Sequence, residues 1–150
     1  MANSVLQDPQ GSDWPLGNIV VTVPGTPVRI TSLVDATSVN APETPTNPTT
    51  FPSGPSTSDE FTRVAQQIIF QAFKAGAGPP KLALNTGNIY IVRKGGTGVA
   101  DIGIIVAVLT PGQTFVLGSS AMVRNVFSLY RYFIDADTAN DACQVTAIIQ

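Results

Sequence analysis

Asn85-Thr86-Gly87-Asn88-Ile89-Tyr90-Ile91-Val92 is followed by Leu109-Thr110-Pro111-Gly112-Gln113-Thr114-Phe115-Val116-Leu117. The chain then closes on Tyr132-Phe133-Ile134-Asp135-Ala136-Asp137-Thr138-Ala139-Asn140-Asp141-Ala142-Cys143-Gln144-Val145-Thr146-Ala147-Ile148-Ile149. Each apolar run is about one strand long, and each gap holds the Gly, Pro, Asn or Asp that a turn demands. Working outward, strands are expected near residues 87–93, 103–109, 113–118, 126–134 and 143–149. Residues 63–74 alternate imperfectly. Their β-branched centre, and the Gly76-Ala77-Gly78-Pro79-Pro80 breaker behind them, favour a strand over a helix. Near the start, Asn18-Ile19-Val20-Val21-Thr22-Val23 and Pro27-Val28-Arg29-Ile30-Thr31 flank Pro24-Gly25-Thr26 and read as a hairpin, because Pro presets φ at one turn position and Gly accepts a positive φ at the next. About eight strands separated by turns make an all-β chain: a single antiparallel β-sandwich or jelly roll.

Two segments depart from this pattern. Residues 1–17 are polar and irregular, with Trp14-Pro15-Leu16-Gly17 as their apolar anchor, and read as an N-terminal arm. The sandwich domain, residues 18–150, is interrupted at 36–60 by a stretch carrying Pro42, Pro45, Pro48, Pro52 and Pro55 around a single aromatic, Phe51. Proline removes main-chain donors and pushes its predecessor towards extended geometry, so this second arm should be extended and polyproline-like. A neighbouring subunit or the arm's own domain would hold it in place. Trp14, Pro42, Pro45, Pro48, Phe51, Pro52 and Pro55 are therefore the candidate interface residues.

Composition narrows the function classes. Charged residues make up 12% of the 150, against roughly 25% in ordinary soluble domains. Mean hydropathy is +0.21. So few charges defend a free monomer poorly against association, and much of the surface is expected to meet protein. The net charge is −2 and the eight basic residues are scattered, with no run longer than Arg93-Lys94. That offers no phosphate-neutralising stripe for nucleic acid. No apolar stretch has the roughly 18 residues of a membrane span. The first residues have neither the charged nor the apolar region of a signal peptide, so synthesis in the cytosol is expected. Cys143 is the one cysteine. Alternating with Val145, it reads as a core residue.

Chemistry has few carriers. There is no histidine, which removes His-based triads and His metal ligands. Gly95-Gly96-Thr97-Gly98 lacks the strand-to-helix setting and the Lys-Ser/Thr ending of a phosphate loop. Asp135, Asp137 and Asp141 are weak candidates for a hard-cation site such as Ca²⁺, without the spacing, Gly or terminal Glu of an EF-hand. The alternative is a loop whose Asp and Asn side chains bond its own backbone. Phe127, Tyr130, Tyr132 and Phe133 fall on the strand expected at 126–134, with Phe127, Leu129, Arg131 and Phe133 on one face. They serve either core packing or a receptor- or carbohydrate-binding patch. No enzyme and no cofactor is expected.

The stretches at residues 86–91 ("TG-x-IYI"), 109–117 ("L-x-PG-x-x-x-x-L") and 135–145, which reads DADTANDACQV against the group's "DADTA-x-D-x-V-x-V" with Cys143 at the first of those valines, resemble, in this order, small β-sandwich virion proteins of tailed bacteriophages. The likeness takes in residues 18–34 and 61–150; the Pro-rich insertion and the connections at 93–103 and 118–126 depart from it. It implies a structural protein of the virion, assembled in the host cytoplasm. The favoured role is a capsid decoration or cement protein binding the major capsid protein or other virion proteins, with a homo-oligomer, by preference a trimer. The alternative is a neck, tail or fibre subunit with a receptor- or host-surface-binding role. Neither nucleic acid nor membrane is an expected partner.

Overall fold

A computed structural model of the chain describes residues 12–31, 64–77, 81–94, 103–118 and 127–149. Strand is the dominant structure of these residues, with no α-helix among them, and every strand pairing among them is antiparallel. One four-stranded sheet has the order β1 (Ser12–Val21), β12 (Asp141–Ile149), β4 (Gln67–Gln71), β9 (Thr114–Leu117). The other has the order β2 (Val28–Arg29), β11 (Tyr132–Ala136), β7 (Ile89–Lys94), β8 (Gly103–Leu109). Two short ladders complete the fold: β3 (Val64–Ala65) with β10 (Phe127–Ser128), and β5 (Phe73–Ala75) with β6 (Leu82–Leu84).

The two large sheets pack with β1 beside β2 on one flank and β9 beside β8 on the other. Period-2 alternation fills the space between them. From the first sheet come Ile19, Val21, Ile68, Phe70, Cys143, Val145 and Ala147; from the second, Ile89, Ile91, Leu109, Tyr132, Ile134 and Ala136. Register matches the burial: Phe70 lies opposite both Val145 and Phe115, and Ile91 lies opposite Ile134. The rings of Phe70 and Phe115 sit 6.3 Å apart.

Several sequence expectations need correction. The Pro24-Gly25 turn forms, with Thr26 N–H donating to Val23 O at 3.1 Å and Gly25 at φ +80°. The hairpin does not: β1 pairs with β12 and β2 with β11, so the turn carries the chain from one sheet to the other. Residues 12–17, expected in an arm, are the first half of β1, and Trp14 pairs with Ala147 across the ladder. A bulge between Pro15 and Gly17 sends Leu16 into the core, where it is 2% exposed. Proline is tolerated there because β1 is an edge strand. The strand expected at 63–74 is split into β3, β4 and β5, which with β6 raises the count among the described residues to twelve. The strand expected at 126–134 is broken by a 3₁₀ turn at Leu129–Arg131, so its two-face alternation fails. Tyr130 and Tyr132 are 7% and 4% exposed and are packing residues, not a surface patch. Pro42, Pro45, Pro48, Phe51, Pro52 and Pro55 lie outside the described residues.

Cys143 is fully buried, and burial pushes its thiol up to about 12. The native protein should therefore resist a thiol reagent at mildly alkaline pH and react with it stoichiometrically once unfolded. Rapid native labelling would contradict this packing.

Candidate functional site

The carboxylates expected to matter meet at one end of the sandwich, where β5, the turn at residues 85–88 and the β11–β12 connection converge. Asp141 opens β12 and has no exposed surface. Its Oδ1 accepts from Thr86 N–H at 2.9 Å and from Lys74 Nζ at 3.2 Å. Its Oδ2 accepts from Gly87 N–H at 2.6 Å and shares the Thr86 N–H at 3.0 Å. Next to it, the Asn85 side chain donates to Ala142 O at 2.7 Å and accepts from Ala142 N–H at 3.0 Å. This side-chain amide thus copies one rung of a β-ladder.

Asp137 binds the far side of the same turn, accepting from Asn88 N–H at 3.2 Å and from the Tyr90 hydroxyl at 2.7 Å. Asp135 serves a different segment. Its Oδ1 accepts from Gly25 N–H at 2.9 Å, fastening the corner between β1 and β2, and from Ala136 N–H at 2.8 Å. Asn140 N–H donates to Val21 O at 2.8 Å and ties that corner down a second time. Gly87 is required by this closeness. A Cβ there would stand 2.8 Å from both Asp137 Cβ and Thr138 Oγ1.

Electrostatics follow from the partners. Burial pushes the Asp141 carboxyl up, but the Thr86 and Gly87 amides and the Lys74 ammonium outweigh it and hold the group below its ordinary value. The Tyr90 hydroxyl bond holds Asp137 low, and the same bond raises Tyr90. Both acids are thus anions held as hydrogen-bond acceptors. The three carboxylates are directed to separate partners rather than to a shared point. Among the described residues no group of three or more His, Cys, Asp or Glu side chains could hold a metal ion. The self-bonding loop is corrected as well, since most acceptors here serve chain 47 to 110 positions away.

Two further features were not read from the sequence. Arg29 lies 5.5 Å from the Tyr130 ring centroid and 5.6 Å from that of Phe133, and so roofs aromatic rings on the outer side of β11. Beside it, an open groove of about 330 Å³ is lined by Gly25, Pro27, Tyr90, Val92, Ile105 and Asp135. The sequence signal for both was present, a proline leading into a two-residue strand that ends on an arginine. Nothing local said that this strand joins the second sheet.

Asp141→Ala leaves the Thr86 and Gly87 amides without their acceptor and should cost about 3 kcal/mol, lowering Tm by roughly 10 °C. Lys74→Met should cost less, because both amides still hold the anion. A group whose folded pKa is depressed contributes stability that is fully present above its unfolded value, here 3.8, and lost as pH falls through the lower folded value. Thermal unfolding followed from neutral pH down into that range should show Tm falling in acid, with a shallower fall in Asp141→Asn. Equal slopes would show that Asp141 is not the linked group.

No family model, curated protein or solved structure matches this chain.

Proposed function

We propose that this chain is a structural protein of a tailed-phage particle, in the role of a capsid decoration protein that lies across capsid subunits and stabilises the expanded head. The order of the three motifs carries the phage part of this reading. The physical observation that supports the adhesive part is the flank formed by β8 and β9. Ile104, Ile105, Val108 and Val116 are 46%, 58%, 48% and 43% exposed there. They are four of the eight large apolar side chains exposed among the described residues. Apolar area of this kind contributes roughly 25 cal/mol per Å² when covered, less the cost of association. Spread over many copies, this would oppose the outward pressure of packaged DNA.

The acid groups fit a structural role. Asp137 and Asp141 are held ionised by N–H and O–H donors, so neither is poised to exchange a proton near neutral pH. A second reading, a neck, tail or fibre subunit with a host-surface-binding role, draws on the groove beside Tyr90, where a ring, a proline and a carboxylate lie together.

Purified protein mixed with expanded heads stripped of their decoration should co-sediment to a fixed stoichiometry and raise the temperature at which the heads rupture. Absence of binding would end the decoration reading. A signal on a glycan array or in host-cell adsorption would favour the second one. Removing residues 36–60 should leave thermal unfolding cooperative while weakening attachment to heads, and unaltered attachment would exclude that segment from the interface.

A further inference from the structure

Two sheet edges lie on the same flank of the sandwich. Among the described residues β8 is the last strand of one sheet and β9 the last of the other, and they face each other across the core. The turn joining them is tight, with Gln113 N–H donating to Thr110 O at 3.0 Å, so the two edges are held together. Natural proteins protect such edges with Lys, Pro, inward-pointing charge or very short strands. The opposite flank follows this rule: β1 carries Pro15 and a bulge, and β2 is two residues long. The β8–β9 flank has a bulge at Val106 on β8 but no Lys, no Pro and no inward-pointing charge on either strand. Residues 102–123 form the longest uncharged run in the chain, and β8 reads Gly-Ile-Ile-Val-Ala-Val-Leu.

We propose that this flank is a twofold self-association surface, on which a second copy of the chain lays β8 against β8 and β9 against β9. Two observations select a second copy as the occupant. A twofold axis normal to both sheets brings both edge pairs together at once, antiparallel by symmetry, because the edges lie opposite one another. Neither strand carries a charge, so the two net-negative chains meet without opposing like charges on paired strands. The size of the flank then sets the strength. A seven-residue edge is about 23 Å long, and two sheets about 10 Å apart with their outer side chains make a face on the order of 500 Å² per copy. That is below the roughly 800 Å² per partner of a standard stable complex. The bulge at Val106, which β8 carries opposite Ile91 and Val92, also interrupts a regular ladder along this edge. Apolar side chains on either side of it carry the contact, and the dimer is reversible.

The dimer is proposed for the free protein, so its test needs no particle; on a head, capsid subunits would take this flank in place of the second copy. Sedimentation equilibrium of the full chain should show a monomer–dimer equilibrium that shifts across the micromolar range. The double variant Ile105→Lys/Val116→Lys places like charges near the axis and should raise Kd by about tenfold or more. Val20→Lys adds the same charge on β1 at the far flank, at a side chain 41% exposed, and should leave Kd unchanged. Thermal unfolding checks that each variant folds. Amide hydrogen exchange of the unaltered protein gives a reading free of mutation: β8 and β9 should gain protection as concentration rises while β1 does not. A strictly monomeric chain, a trimer, equal sensitivity to Val20→Lys, or no protection confined to β8 and β9 would each overturn the proposal.

Discussion

A carboxylate with no exposed surface must be surrounded by donors or become neutral, and Asp141 is surrounded. Its three donors come from two places: two main-chain amides of the turn before β7, and the ammonium of Lys74 on β5. Because β12 lies in one large sheet and β7 in the other, this single acceptor ties the sheets together at one end. Lys74 alone could not do this work. A lysine with its side chain 31% exposed supplies charge but little direction, whereas two adjacent amides fix where the turn stands. Register then follows. A slip of one residue in β12 would turn Cys143, Val145 and Ala147 out of the core and carry Asp141 away from its donors.

The rest of the acidic segment repeats the device. Asp137 holds the next amide of the same turn, and Asp135 and Asn140 hold the corner where the chain leaves one sheet for the other. All three carboxylates that first read as a metal-site signature therefore satisfy main-chain amides at long range. Buried main-chain groups outside ladders need partners, and a sandwich with tight corners has many such groups at its ends. Acidic and amide side chains concentrated in one connection can serve several of them at once.

What the sequence made legible was local. The turns at Pro24-Gly25, Pro111-Gly112 and Thr86-Gly87 stand where their residues demand, and the strands at 103–109 and 143–149 fall within a residue or two of their expected ends. What it hid was partnership. A Pro-Gly turn between β-branched runs looks the same whether the chain doubles back or crosses to another sheet, so the false hairpin followed from sound local chemistry. Leu82-Ala83-Leu84 escaped notice because a three-residue strand without β-branching shows no period. Tyr132-Phe133-Ile134 gave the right strand. The turn before it, Leu129–Arg131, carries neither Gly nor Pro to announce the break. Asp141 itself was named for the wrong reason: it was grouped with Asp135 and Asp137 as an oxygen ligand for a cation, whereas its donors lie more than fifty residues upstream.

The two ends of this economy of charge are connected. With so few ionisable residues, the chain commits Asp135, Asp137, Asp141 and Lys74 to internal bonds, and Arg29 to its aromatic roof. Charge placed there cannot also guard an edge. The flank formed by β8 and β9 lies within an uncharged run as long as both strands and their turn together, and exposed Ile and Val side chains stand where Lys would ordinarily keep other strands away. A free-living monomer would gain solubility from one lysine on β8 at almost no cost in stability, since exposed positions tolerate such changes within a few tenths of a kcal/mol. An edge that no strand among the described residues pairs with, where protection would be so inexpensive, is what the proposed self-association surface requires.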